Sequence, residues 1–171
     1  MPARLRHLMT AALNAMLLVP IGHAMSQQPA KNSTSSSSPR TMTAAEAHAA
    51  AQSGDVVLID IRTPAEWRET GIPAAAHAID MYEGPKDFTD KLLQTVGGDP
   101  TRRVALICRT GNRSTTLQAH LAKAGFTNVV DVAEGVAGGR FGQGWLKHGL
   151  PTRPGTMAST PVAPLSKAPP K

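Results

Sequence analysis

The stretch Val104–Thr116, VALICRTGNRSTT, joins an apolar run to the start of a helical pattern and contains the only cysteine among 171 residues. RVALIC has the continuous apolar character of a strand that is buried on both faces. STTLQAHLAKAG, which follows, has the pattern of a helix that ends at Gly125. Cys108 is therefore predicted to lie at a turn from a strand into a helix.

The same alternation continues on both sides of this stretch. VVLID, Val56–Asp60, and NVVDV, residues 128–132, predict two more buried strands. Helices are predicted in MTAAEAHAAAQSG, TPAEW and DFTDKLLQTV, the first from a capping box of Thr43 and Glu46. Apolar strands alternating with helices of roughly 10 residues favour an α/β fold, with a mostly parallel sheet and helices on both faces. Function in such sheets collects at the carboxyl ends of strands, which is where Cys108 lies.

The loop after Cys108 has the composition of an anion-binding turn. Gly111 can take a positive φ, which lets successive backbone N–H groups point inward. The next helix adds unpaired N–H groups and a favourable dipole, and Arg109 and Arg113 add positive charge. Such surroundings favour the thiolate, so Cys108 is predicted to be a nucleophile that needs no histidine base. The alternative is a small buried apolar residue that ends a strand.

The beginning of the chain predicts a signal peptide. Arg4 and Arg6 precede an apolar run that ends at Ile21, and small residues follow. This layout predicts a signal peptide over residues 1–24, with cleavage after Ala24. A membrane anchor would need roughly 20 apolar residues, whereas this run is shorter and is interrupted by an asparagine and a proline. We therefore expect an exported, periplasmic protein with no membrane span in its mature form.

Two further segments have compositions that disfavour folding. Residues 25–40 are rich in serine, and residues 152–171 are rich in proline and alanine. Such segments cannot bury enough apolar surface to offset the entropy cost of ordering, so we expect a disordered linker and a disordered tail. Residues 41–151 remain as one small domain.

The distribution of charge argues against nucleic-acid binding, although the net charge is +6. Residues 41–151 hold all 12 acidic residues and only 11 of the 18 Lys and Arg, which gives this segment a net charge of −1. A nucleic-acid binder needs a basic face on the folded domain itself. No nucleic-acid partner is therefore expected.

The cysteine and histidine content limits the other site classes. A single cysteine excludes an intramolecular disulfide, and an odd thiol in an exported protein indicates intermolecular pairing or a reactive site. The six histidines are scattered, with no two at metal-ligand spacing beside the cysteine. We expect no metal site and no cofactor.

Four segments together resemble the rhodanese-like sulfurtransferases, in their single-domain exported form. LIDIRTPAEW is similar to the family's first signature, and CRTGNRS to its active-site loop. GIPAAAHAID resembles the family's Gly-His-Ile-Pro-Gly-Ala segment, although Gly71 stands where the family usually has His. GW and GLP match the closing helix and its exit. The resemblance spans residues 41–151 in the expected order and implies the rhodanese-like α/β fold.

The resemblance also implies a reaction. Cys108 would attack a sulfane sulfur and carry it as a persulfide to cyanide or to a thiol, including a protein thiol. The loop pattern Cys-Arg-x-Gly-x-Arg is similar to the one associated with thiosulfate as donor. Arg109 and Arg113 would hold this dianion, since guanidinium groups make paired bonds to oxyanions. The substrate-binding residues so implied are Arg109, Thr110, Gly111, Asn112, Arg113 and Ser114.

Two alternatives accompany this reading. Phosphatases of the same fold family have a longer loop, with Arg six positions after Cys. Here Ser114 holds that position and Arg113 the fifth, which argues against a phosphatase. A carrier module, which holds a persulfide or an anion for a partner protein without turnover, stays open at this point.

Polar residues outside the loop are given structural roles. Asp60 is expected to accept backbone N–H groups at a strand end, and Arg62 to pair with an acid. Asp131 and Glu134 are interpreted as ordinary loop residues. Two further predictions concern packing: Trp67 and Trp145 are buried, and the glycine-rich segment 134–145 borders the mouth of the loop.

Overall fold

The computed structural model describes residues 40–156. The predicted signal peptide, nearly all of the predicted linker and most of the predicted tail lie outside the described residues. None of the helices in the described part has the length and apolar character needed to cross a membrane. The elements in chain order are β1 (Thr41–Met42), α1 (Ala44–Ser53), β2 (Val57–Asp60), α2 (Pro64–Thr70), β3 (Ile72–Pro73), β4 (His77–Ala78), α3 (Pro85–Thr95), β5 (Val104–Ile107), α4 (Asn112–Lys123), β6 (Val129–Val132), α5 (Gly144–Lys147) and β7 (Thr152–Arg153).

A five-stranded sheet with the order β1-β6-β5-β2-β4 forms the centre of the fold. All neighbouring pairs in this sheet are parallel, which confirms the predicted α/β class. β5 lies between β6 and β2, so the chain leaves the middle of the sheet at Cys108. The position of the cysteine at the carboxyl end of a strand was predicted, whereas the central place of that strand in the sheet was not.

The core has two halves, one on each face of the sheet. Alternate side chains of a strand point to opposite faces. Leu106 and Cys108 therefore belong to a buried cluster with residues of α3 and α4, whereas Ala105 and Ile107 belong to one with residues of α1, α2 and α5. Trp67 and Trp145 are buried in the second half, as predicted. The strands are therefore covered on both sides, which explains why they lack an alternating polar pattern.

Two helices begin with capping boxes. Thr43 and Glu46 cap α1 as the sequence predicts, and Thr63 and Glu66 cap α2 in the same way. Each threonine side chain accepts the backbone N–H of the glutamate, and the glutamate carboxylate accepts the backbone N–H of the threonine. These bonds satisfy donors that a helix N-terminus otherwise leaves unpaired.

The sequence analysis missed four short strands and placed the end of the ordered chain too early. β7 begins at Thr152, the first residue of the predicted tail, and pairs antiparallel with β3. Arg153 donates to the carbonyl of Ala76 at 3.0 Å, and Gly155 packs so closely that a Cβ there would lie 1.8 Å from the carbonyl oxygen of Trp67. Backbone pairing orders this segment, and apolar composition does not reveal such pairing.

Candidate active site

Cys108 directly follows β5 and begins the turn that leads into α4. The residue is 1% exposed. Gly111 lies at the top of the turn with φ of 90°, and a Cβ at this position would come within 2.1 Å of the carbonyl oxygen of Ala133. The predicted positive φ is confirmed, and the close approach of the backbone adds a second reason for glycine here.

Two hydrogen bonds reach the sulfur atom. The backbone N–H of Gly111 donates to Sγ of Cys108 at 3.2 Å, and the hydroxyl of Ser114 donates to it at 3.3 Å. Donors of this kind stabilise negative charge on the acceptor. Since no side chain caps α4 at Gly111, its first-turn N–H groups also face the loop.

Both arginines of the loop form ion pairs with α2, which the sequence analysis did not foresee. Arg113 contacts both carboxylate oxygens of Glu66, at 2.6 and 2.9 Å, and Arg109 contacts Glu69 at 3.1 Å. The first pair is largely buried, whereas the side chains of the second are 46% and 57% exposed. An incoming anion can therefore displace the carboxylate partner of Arg109 more readily than that of Arg113.

The Glu66–Arg113 pair has consequences for ionisation. Burial raises the pKa of Glu66, but the hydrogen bonds and charge of Arg113, together with the bonds from Thr63, outweigh burial and lower the pKa to about 2. Bonding to Glu66 raises the pKa of Arg113, and negative charge on Cys108 raises it further. Arg113 therefore holds α2 and lies near enough to Cys108 to interact with negative charge there.

The remaining predicted site residues sit at different depths. Arg109 and Asn112 are exposed, Thr110 and Arg113 are half-buried, and Ser114 is buried. Among the described residues, only Gly111 and Ser114 donate hydrogen bonds to the sulfur.

The glycine-rich segment borders the loop, as predicted. Val136 and Ala137 donate their N–H groups to the carbonyls of Cys108 and Arg109, at 2.8 and 2.9 Å. A Cβ on Gly135 would lie 2.5 Å from the carbonyl oxygen of Arg109. Backbone thus packs directly on backbone at this side of the loop.

The predictions for the polar residues outside the loop are confirmed in part. Arg62 and Asp60 form a buried ion pair at 2.7 Å, and Asp60 also accepts the backbone N–H of Arg62, as predicted. The interpretation of Asp131 as a loop residue is wrong, whereas Glu134 lies in a turn as interpreted. Asp131 belongs to β6 and is 1% exposed, while Glu134 is buried and accepts the N–H of Ala44. A carboxylate inside the apolar run NVVDV was the signal that could have identified Asp131.

The sequence that builds this site matches a known protein family. A model of the rhodanese-like domain matches residues 43–140. The chain belongs to the rhodanese-like domain family. Among its relatives is a protein of Allochromatium vinosum named sulfurtransferase, which is 35% identical over 107 residues, covering 59% of this chain and 81% of that protein.

Two further proteins are similar to this chain. An uncharacterized protein of Rickettsia rickettsii is 29% identical over 98 residues, covering 55% of this chain and 80% of the relative. The crystal structure of Rv0390 from M. tuberculosis superposes with a TM-score of 0.54 at 27% identity, covering 68% of this chain and 98% of that one. The resemblance to the rhodanese-like family, stated from the four sequence segments, is confirmed by the match over residues 43–140. Within residues 40–156 no three potential ligands among His, Cys, Asp and Glu gather as a metal site.

Proposed function

We propose that this rhodanese-like protein is a sulfurtransferase in which Cys108 takes sulfur from thiosulfate and passes it to cyanide or a thiol. Membership of the family and a relative named sulfurtransferase support sulfur transfer in general. The observation that carries the proposal is the pair of hydrogen bonds to Sγ, from the backbone of Gly111 and the hydroxyl of Ser114. A nucleophilic sulfur needs such donors to remain a thiolate in a buried position.

The reaction proceeds in two displacements. The Cys108 thiolate attacks the outer sulfur of thiosulfate, a new S–S bond forms at Sγ, and the S–S bond of thiosulfate breaks. Sulfite leaves with the bonding electron pair, so the total charge is unchanged. Cyanide, or a thiolate, then attacks the outer persulfide sulfur and regenerates the Cys108 thiolate. Such a scheme gives ping-pong kinetics.

Because Cys108 is buried, a persulfide would bring the transferable sulfur atom closer to the acceptor. Its outer sulfur lies roughly 2 Å beyond Sγ, in the direction of the mouth of the loop. The acceptor therefore need not reach the sulfur of Cys108, a residue that is only 1% exposed. The N–H groups at the start of α4 stabilise the charge of the persulfide and of departing sulfite.

The two arginines take different parts in this proposal. Arg109 forms an exposed ion pair with Glu69, and such pairs are worth only about 0–1 kcal/mol. A dianionic donor can therefore displace Glu69 and bind Arg109. Arg113, held by both oxygens of a largely buried Glu66, keeps its position and contributes its charge to the site.

Intact-mass spectrometry tests the proposal. The full chain is incubated with thiosulfate and then with cyanide, and Cys108→Ser is treated in parallel. We expect the wild type alone to gain one sulfur atom and to release it to cyanide, with thiocyanate accumulating over many turnovers. Absence of loading would contradict the proposal. Loading with a single discharge and no further turnover would contradict the enzyme and favour a carrier.

We also propose export of the protein, with residues 1–24 as a cleaved signal peptide, residues 25–40 and the segment beyond residue 156 as spacers, and a rhodanese-like domain between them. The apolar run after Arg4 and Arg6 supports this. Expression in a bacterium, followed by fractionation and N-terminal sequencing, tests it. Recovery from the periplasm with a new N-terminus after Ala24 is expected, and recovery of the uncleaved chain from the cytoplasm would contradict it.

A further inference from the structure

Asp131 is a buried acid that the proposed reaction does not use. It lies on β6, next to the strand that ends at Cys108, and is 1% exposed. One carboxylate oxygen, Oδ2, lies 2.6 Å from the hydroxyl of Thr115. The other, Oδ1, is fully buried and has no hydrogen-bond partner among the residues that the structure describes. A carboxylate with a bare oxygen in the protein interior is costly if it is ionised.

Two hydroxyls connect this acid to the thiol. The hydroxyl of Thr115 lies 2.8 Å from the carbonyl oxygen of Gly111, besides its contact with Asp131. The hydroxyl of Ser114 lies 3.0 Å from the same carbonyl and 3.3 Å from Sγ of Cys108. Each hydroxyl has one proton to donate. Two protons therefore face three acceptors: the carboxylate, the carbonyl and the sulfur.

The protonation state of Asp131 decides how these protons are shared. If Asp131 is ionised, it takes the proton of Thr115, and Ser114 must divide its proton between the Gly111 carbonyl and the sulfur. If Asp131 is neutral, it donates its own proton to Thr115, and Thr115 then donates to the carbonyl. Ser114 is left free to donate to Cys108. Only the neutral acid leaves enough donors for the Gly111 carbonyl and the sulfur to be satisfied at the same time.

The surroundings of Asp131 favour the neutral acid. Burial raises the pKa of Asp131, and the nearby hydroxyls of Ser114 and Thr115 oppose that rise without cancelling it. The neighbouring strands place Thr41 and Leu106 beside it in register, and neither side chain titrates. From α4 it meets hydroxyl groups and no cation.

Charged groups near the sulfur belong to the ion pairs already described. Arg113, paired with Glu66, faces the sulfur, and Arg109 pairs with Glu69 at the rim. Neither pair contacts Asp131 or Thr115, so changes at those two residues leave the ion pairs in place.

We propose that Asp131 is a positioning residue: its neutral carboxyl orients Thr115, and through it Ser114, so that Ser114 donates to the sulfur of Cys108. This inference rests on the proposed function, since it assigns the role to the thiolate and persulfide of that reaction. The hydroxyl pair is the route of coupling, because Asp131 itself makes no contact with the sulfur.

The rate of Cys108 alkylation by iodoacetamide, measured against pH, tests the relay at Thr115. We expect Thr115→Val to move the midpoint of this profile upward by about one pH unit, so that alkylation below the midpoint slows about tenfold. Thr115→Ser restores the wild-type profile. Thr116→Val is the matched control, since its exposed hydroxyl bonds to Asn112 on the same helix, and its profile stays that of the wild type.

Substitution of the acid tests its charge state. Asp131→Asn retains a neutral donor, so we expect the midpoint of its alkylation profile to stay that of the wild type. Asp131→Leu has no donor, and its midpoint should move upward. If Asp131 were ionised, Asn would remove a negative charge near the thiolate and lower the midpoint, which would overturn the proposal. An unchanged profile in Thr115→Val would overturn it as well. Alkylation requires no sulfur donor, so failure of the relay and failure of sulfur loading give separate results.

Discussion

The turns that follow β2 and β5 lie at the same edge of the sheet and have similar sequences, but their polar groups are used differently. β2 continues as Asp60-Ile61-Arg62-Thr63, and β5 continues as Cys108-Arg109-Thr110-Gly111. After β2 the arginine is 1% exposed and paired with Asp60, and Thr63 caps the following helix. After β5 the arginine is exposed and no side chain caps the helix. In the turn after β2, the closed turn, the donors are satisfied within the protein and stabilise the fold. In the turn after β5, the open turn, donors are left free and can bind an anion.

The largest stability effect is expected when the closed turn is broken. Arg62→Leu leaves Asp60 buried without its partner, which costs about 3–5 kcal/mol in the free energy of unfolding. Urea unfolding of the full chain measures this loss. Arg68→Leu, at an exposed position on α2, is the control and should change the free energy of unfolding by less than about 0.5 kcal/mol. A similar small change in Arg62→Leu would remove the distinction between the two turns.

Closing the open turn by a side chain is expected to have the next largest effect. Gly111→Ala adds a methyl group 2.1 Å from a carbonyl oxygen at a φ of 90°, so we expect a loss of about 2–3 kcal/mol in the free energy of unfolding. Sulfur loading from thiosulfate should slow more than tenfold, because the Gly111 N–H leaves the sulfur.

Gly54→Ala is the matched control for this change. Gly54 has a φ of 79°, and a Cβ there would meet nothing within 4 Å. We expect a loss of only about 1 kcal/mol in stability, with loading unaffected. Equal losses in the two variants would mean that the close approach at Gly111 has no energetic weight.

Acid titration sharpens the comparison through Glu66, which caps α2 and holds Arg113 of the open turn. The pKa of Glu66 is lowered to about 2 in the folded protein, since Arg113 and Thr63 outweigh burial. Its contribution is therefore present above the unfolded value of about 4.3 and is lost as the pH falls toward 2.

Unfolding measured at pH values from 6 to 2 checks this prediction. We expect the wild type to lose roughly 2 kcal/mol more than Glu66→Gln between pH 5 and pH 2. Glu69→Gln, which removes only an exposed pair, should follow the wild type. If the free energy of unfolding of Glu66→Gln fell as steeply between pH 5 and pH 2 as that of the wild type, Glu66 would not be the source of the acid-dependent loss.

The smallest stability effect is expected at the arginine of the open turn. Arg109→Leu removes an exposed ion pair, so the free energy of unfolding should change by less than about 0.5 kcal/mol. The same variant should raise KM for thiosulfate about tenfold with little change in kcat, since Arg109 is proposed to bind the donor in ground and transition states alike. A wild-type KM would show that Arg109 does not contact the donor.

Local patterns made much of the fold predictable. The apolar runs around Val57 and Val104 and the capping box at Thr43 depend on residues a few positions apart, and all three elements were predicted. The positive φ of Gly111 was likewise predictable from the short distance between strand and helix.

Features that depend on distant partners were not predictable. The two-residue strands β1, β3, β4 and β7 have no pattern of their own and exist because a neighbour supplies backbone groups. Glu66 and Arg113 are 47 positions apart, so the pairing of the loop with α2 depends on the tertiary fold. The contact between Asp131 and Thr115 was unpredictable for the same reason, since only the packing of α4 on β6 brings the two residues together.

The pairing of β7 with β3 sets the point at which this chain can be shortened. An engineer who trimmed it at Pro151 would discard the strand partner of Ile72–Pro73 and the Arg153 bond to Ala76. Trimming after Thr156 keeps both, together with Gly155 against Trp67. Affinity tags, fluorescent reporters or a second enzyme are therefore best fused beyond Thr156.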